Sequence, residues 1–178
     1  RRIWQPYGVT VDARDRLYVA DPAARIVHVF DESRKRYGVL RGPKPGGFRF
    51  PLGVTTDDRG WVFVSDAERA EVLGFDRGGR IGRTITDSLL RPAGIVFHPA
   101  NRLLYVVDVL LNQVRAYDSA GRRVLAFGTR GAGPGQFNSP TNIAVDGQGR
   151  LAVTDALNSR VQVFSPDGRF VAGFGRAG

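Results

Sequence analysis

GTRGAGPGQFNSPTNIAVD, residues 128–146, sets a glycine-rich run in front of a short apolar stretch, Ile143-Ala144-Val145. A phosphate-binding loop of the P-loop kind needs a Gly-Lys-Ser/Thr ending that opens a helix. Here Gln136-Phe137 follows instead, then Pro140 and a run that reads as a strand. The informative property of the stretch is that its second half recurs.

PYGVTVD begins at Pro6, PLGVTTD at Pro51, PAGIVFH at Pro92 and PTNIAVD at Pro140, so the copies stand 41 to 48 residues apart. LYVAD, VFVSD, LYVVD and LAVTD follow, ending at Asp21, Asp66, Asp108 and Asp155. Nine residues beyond each aspartate stands an aromatic: Phe30, Phe75, Tyr117 and Phe164. That spacing is identical in all four copies, which chance does not produce. Each copy reads as β-branched and aromatic runs parted by turn residues such as Asp-Gly-Gln-Gly and Pro-Asp-Gly. No segment sustains helical periodicity. Four short strands in a repeat of this length are the signature of a propeller blade, and one blade cannot bury both faces, so neighbours must stack.

The totals agree with a globular chain. It has 178 residues, 42% hydrophobic and 24% charged. No apolar run is long enough to form a transmembrane helix. The absence of cysteine excludes disulfides and thiolate metal sites and leaves the compartment unknown. A net charge of +9 makes an anionic partner worth testing.

With these residues in view, the chain resembles the NHL-repeat β-propeller family. The last copy carries the resemblance best, from Asn142 to Gly175, with Asn158, Arg160, Val161, Gln162, Val163 and Phe164 in register. Gly133-Pro134-Gly135-Gln136-Phe137 matches the family's blade-to-blade connector. The first three copies are looser, with Ala24-Arg25, Arg69-Ala70 and Leu111-Asn112 in place of the usual Asn-His pair. The resemblance implies an all-β propeller of four-stranded blades, with approximate repeats 5–50, 51–90, 91–139 and 140–178 in one segment. Such propellers typically close with six blades. Four repeats, ending inside a connector at Gly175-Arg176-Ala177-Gly178, therefore predict an incomplete or open propeller, completed by further blades, another copy or a fragment. Fold does not fix function here, because propellers host enzymes, sensors and docking platforms alike.

Asp21, Asp66, Asp108 and Asp155 suggest a carboxylate ring for Ca²⁺. A device repeated once per blade is better explained as structural, each carboxylate accepting backbone N–H bonds in the following turn. No metal or other cofactor is expected. The two histidines point toward the zinc lyases built on related repeats, but catalytic zinc takes three protein ligands. His98 holds the turn position of Asp12, Asp57 and Asp146, and His28 lies on a third strand. Trp61 reads as blade packing.

The positive charge is divided between the two sheet ends. Loops at one end hold 13 Arg/Lys against 10 Asp/Glu and those at the other 12 against 7, with Arg115 on a strand. Some NHL proteins bind RNA through a basic face with exposed aromatics, but few aromatics interleave with these arginines. The oddest loop is Val109-Leu110-Leu111, where the equivalents read Pro-Ala-Ala, Ala-Glu-Arg and Ala-Leu-Asn. Consecutive leucines on a rim could dock a partner, or tuck under the neighbouring connector. The expectation is a non-enzymatic scaffold binding a protein, peptide or other ligand through the face carrying Arg25, Arg69, Arg91, Leu110, Leu111 and Arg130. The alternatives are a lyase or lactonase whose catalytic blades lie outside these four, and an RNA-binding NHL domain.

Overall fold

The computed structural model describes residues 2–175 and contains sixteen strands in four antiparallel meanders, with one further short parallel pair. Two compact units divide it, Arg1–Ser88 and Leu89–Gly178. Among the described residues no helix is long and apolar enough to cross a membrane.

The first unit holds two blades. Strands β1 (Val9–Val11), β2 (Arg16–Asp21), β3 (Ile26–Asp31) and β4 (Arg36–Leu40) form one, paired in chain order. Strands β5 (Pro51–Thr56), β6 (Val62–Asp66), β7 (Glu71–Phe75) and β8 (Ile81–Ile85) form the next. In the second unit, β9 (Pro92–His98), β10 (Leu103–Asp108), β11 (Gln113–Tyr117) and β12 (Arg123–Phe127) make a blade. The connector pair β13 (Thr129–Arg130) and β14 (Gln136–Phe137) follows, then β15 (Pro140–Val145), β16 (Leu151–Asp155), β17 (Arg160–Phe164) and β18 (Phe170–Phe174).

Chain-order pairing follows from the turns. Asp57, Asp76, Asp118 and Asp146 each accept the backbone N–H groups of the residues two and four places on, so each hairpin is closed by its own aspartate. Arg80, Arg122 and Arg150 then pair with these same carboxylates, which absorbs part of the basic excess in turn construction. His98 substitutes in one such turn. Its Nδ1 accepts the Asn101 N–H at 3.4 Å, so Nε2 carries the hydrogen and donates to the Gly149 carbonyl at 2.9 Å.

Each unit has its own core between its two sheets. Tyr18, Val27, Val64, Leu73 and Phe75 build the first, and Tyr105, Val114, Leu151, Val153 and Phe164 the second. Connector phenylalanines complete both. Phe48 lies 5.9 Å from Phe75 and Phe137 lies 5.5 Å from Phe164, centroid to centroid, and all four rings are fully buried. Gly128 serves that plug: a Cβ there, where φ is +96°, would meet the Phe137 ring at 2.6 Å. Of the four spaced aromatics, Phe75, Tyr117 and Phe164 are buried, whereas Phe30 is half-buried against Tyr37.

Candidate interaction face

The loops after the second strands are built alike. Each strand-ending aspartate is fully buried, and Asp21, Asp66 and Asp108 accept backbone N–H groups from two directions. Asp21 takes those of Trp4 (2.7 Å), Gln5 (3.2 Å) and Ala24 (3.0 Å). Asp66 takes Arg49 (2.8 Å), Phe50 (2.9 Å) and Arg69 (3.2 Å), and Asp108 takes Leu90 (2.7 Å), Arg91 (3.1 Å) and Leu111 (3.2 Å). The carboxylate thus ties the incoming connector to the outgoing turn. For Asp21, burial pushes the carboxyl up, but the N–H groups of Trp4 and Ala24 and the His28 ring outweigh it and hold it below the ordinary range.

Asp155 has a different retinue. It accepts the Asn138 N–H at 2.7 Å and side-chain bonds from Asn158 (2.8 Å), Arg160 (2.8 Å) and Gln162 (3.2 Å). Those three side chains also reach the connector: Asn158 donates to Gly131 O, Arg160 to Gly133 O and Gln136 O, and Gln162 to Gln136 O. The Asn-x-Arg-x-Gln pattern of the repeat is therefore a clamp on residues 131–136. His28 stands where Gln162 does, seven residues after its aspartate, with Nε2 at 3.2 Å from Asp21 and Nδ1 at 2.8 Å from the Tyr37 hydroxyl. In the sequence His28 lies on a third strand, and only the strand pairing brings it to this strand end.

All four turns place their fourth residue in the left-handed region, with φ +55° at Arg25, +55° at Ala70, +52° at Asn112 and +50° at Ser159. The second residue of each turn consequently sits at an exposed apex. In blade order it is Ala23, Glu68, Leu110 and Leu157. Leu110 is 58% exposed and Leu157 is 68% exposed, and Leu90, beside Asp108's other end, is 51% exposed. Leu111 is half-buried. Leu157 escaped sequence reasoning, although it stands in the same register as Leu110.

Both leucine turns face the same way. A Cβ on Gly94 would lie 2.6 Å from Asn142 Cα, so β9 and β15 run side by side, and Pro92 and Pro140 pair with Asp108 and Asp155 respectively. Arg91 and Arg130 are exposed at this end of the second unit, Arg130 on the clamped connector. In the first unit Arg25 is exposed, while Arg69 is half-buried and ion-paired with Glu71. Among the described residues no three His, Cys, Asp or Glu side chains gather closely enough to hold a metal ion.

Residues 64–174 match the family model described as SMP-30/Gluconolactonase/LRE-like region. The chain is 30% identical over 133 residues to the E3 ubiquitin-protein ligase TRIM71 of Bos taurus, covering 67% of this chain and 15% of that protein. It is 31% identical over 91 residues to the human NHL-repeat-containing protein 4, covering 51% of this chain and 73% of that one. Among solved structures, virginiamycin B lyase from Staphylococcus aureus superposes with a TM-score of 0.77 at 17% identity, over 96% of this chain and 56% of the lyase. That likeness concerns the propeller fold. The chain spans only a minor part of the ligase and little over half of the lyase.

Proposed function

This chain belongs to the SMP-30/gluconolactonase/LRE-like family and to the NHL-repeat β-propellers, and on that premise we propose that it is a recognition module whose second unit captures an acidic, apolar segment of a partner protein. The observation that carries this reading is the pair Leu110 and Leu157, exposed at the same apex of consecutive blades. Large apolar side chains held outward on rigid turns present area for a partner at little ordering cost. Arg91 and Arg130 flank them at the same sheet end, while the strand-ending aspartates there are buried and already bonded, so the exposed charge is positive. Charge of that sign steers an acidic segment to the face. A relative named as an E3 ubiquitin-protein ligase supports a role in protein recognition.

Selection of a displayed random peptide library on the protein tests the proposal. Enriched sequences should combine Asp or Glu with Leu, Phe or Trp, and their binding should weaken modestly with salt. Enrichment without acidic residues contradicts it. If instead single-stranded RNA binds, with affinity falling several decades between low and moderate salt, the RNA reading replaces it.

The family match favours a second reading, in which this unit is the non-catalytic part of a lactone-opening or lyase-type enzyme. Turnover of a lactone by this chain together with further blades, but not by residues 1–178 alone, would support that reading.

A further inference from the structure

Equivalent rows of the two units are filled differently. In the second unit, Tyr105, Ala116 and Leu125 pair successively across β10, β11 and β12. Leu125 packs on the core, and the Tyr105 hydroxyl donates to Pro166 O at 2.7 Å, lacing one blade to the outer turn of the next. In the first unit the row at the same spacing from its aspartate is Tyr18, Val29 and Gly38. A glycine replaces the leucine, and nothing lies within 4 Å of where its Cβ would be. The Tyr18 hydroxyl turns to Asp12 Oδ2 at 3.2 Å.

A cleft of about 260 Å³ opens there, walled by Tyr18, Val29, Leu40 and Val62, floored by Gly38 and bordered by the Asp76–Gly79 turn, whose carboxylate is tied to the Gly78 and Arg80 N–H groups and the Arg80 side chain. It shares Arg16, Val29 and Gly38 with a second hollow of about 270 Å³. That hollow gathers Arg16, Arg34 and Arg36 around a single carboxylate, Asp31. Asp31 is already engaged by the Ser33 hydroxyl (2.8 Å) and the Arg34 N–H (3.0 Å), and the Arg34 side chain is 66% exposed with its Nε 3.9 Å from Asp31. Arg16 is held by Asp12. Arg36 is exposed at the start of β4.

We propose that the first unit binds an organic phosphate monoester, its apolar body over Gly38 between Tyr18 and Leu40 and its phosphate against Arg34 and Arg36. With Arg16 already paired to Asp12, the exposed guanidinium groups of Arg34 and Arg36 suit a group carrying close to two negative charges, and the planar guanidinium matches phosphate oxygens two at a time. The cleft volume lies below the roughly 300–1,000 Å³ of drug-sized sites, which suits a single ring. Within its unit the site lies at the sheet end opposite Asp21 and Asp66, and the proposal does not rest on the leucine pair.

Calorimetric titration with phenyl phosphate, inorganic phosphate and phenol tests this. Phenyl phosphate should bind at least tenfold more tightly than either of the others. Gly38→Val should keep or raise Tm, because the backbone there is ordinary strand and the added atoms enter open space, yet weaken phenyl phosphate at least tenfold. Arg36→Gln should weaken phenyl phosphate and leave phenol unchanged. A phosphotyrosine peptide binding more tightly than phenyl phosphate assigns the ligand to a modified protein, and weaker binding assigns it to a free small molecule. Equal affinity for phenyl phosphate and inorganic phosphate, or a well-folded Gly38→Val protein that binds phenyl phosphate as tightly as the parent, overturns the proposal.

Discussion

Gly94 and Asn142 stand so close that a β-carbon on the first would lie 2.6 Å from the Cα of the second. The same relation holds in the other unit, where a β-carbon on Gly8 would lie 2.3 Å from the Leu52 carbonyl oxygen. Neither glycine has a positive φ, so the requirement is for space between neighbouring innermost strands. This is the physical content of the glycine in PYGVTVD and PAGIVFH. Gly94→Ala must push backbone against backbone, which no rotamer change relieves. Overpacking of that kind costs about 1–3 kcal/mol, or roughly 2–12 °C in Tm for a chain of this size. Thermal unfolding of Gly94→Ala and Gly8→Ala checks it, and an unchanged Tm in both contradicts the close approach.

The blade order, the four strands of each blade and the turn aspartates were legible because they depend on alternation and on local hydrogen bonding. What eluded the sequence depends on contacts between segments far apart. Phe137 looks like one more connector residue until it is seen filling the core beside Phe164. His28 reads as an isolated histidine, yet cross-strand pairing of Asp21 with Ile26 turns it back toward the same carboxylate. Leu157 sits in a loop that reads Ala-Leu-Asn and draws no notice, because its exposure depends on the left-handed residue two places on. Arg69 looks available for a partner, and only the fold brings Glu71 against it.

Ala70 occupies the left-handed position that Asn112 fills in the third turn, at φ +55° against +52°. For an alanine this conformation costs about 1–2 kcal/mol, and asparagine tolerates it better. Ala70→Asn should therefore raise Tm by roughly 2–4 °C. A lower Tm in a scanning calorimeter would show that the turn is not strained.

Asp12 links pH to stability. Burial pushes its carboxyl up, but the backbone N–H groups of Arg16 and Arg14 and the Arg16 guanidinium outweigh it, so the folded carboxyl titrates below the unfolded one. The resulting stabilisation is complete above the unfolded value of about 3.9 and disappears as pH falls through the folded value. Asp12→Asn keeps the acceptor oxygen and does not titrate. The variant should be less stable than the parent at pH 7, with the two denaturation curves converging as pH falls from about 5 to 2. Parallel curves across that range would remove Asp12 from the acid response.

The recognition face is tested most directly by the double variant Leu110→Ser, Leu157→Ser, with the parent's best library-selected peptide as ligand. Both side chains are exposed, so their replacement should leave Tm within about 2 °C, as surface substitutions do. Affinity for the peptide, measured by calorimetry, should fall at least twentyfold, since two buried anchors each contribute on the order of 1–2 kcal/mol. An unchanged affinity in the folded double variant would contradict the central claim that these two turns form the binding face.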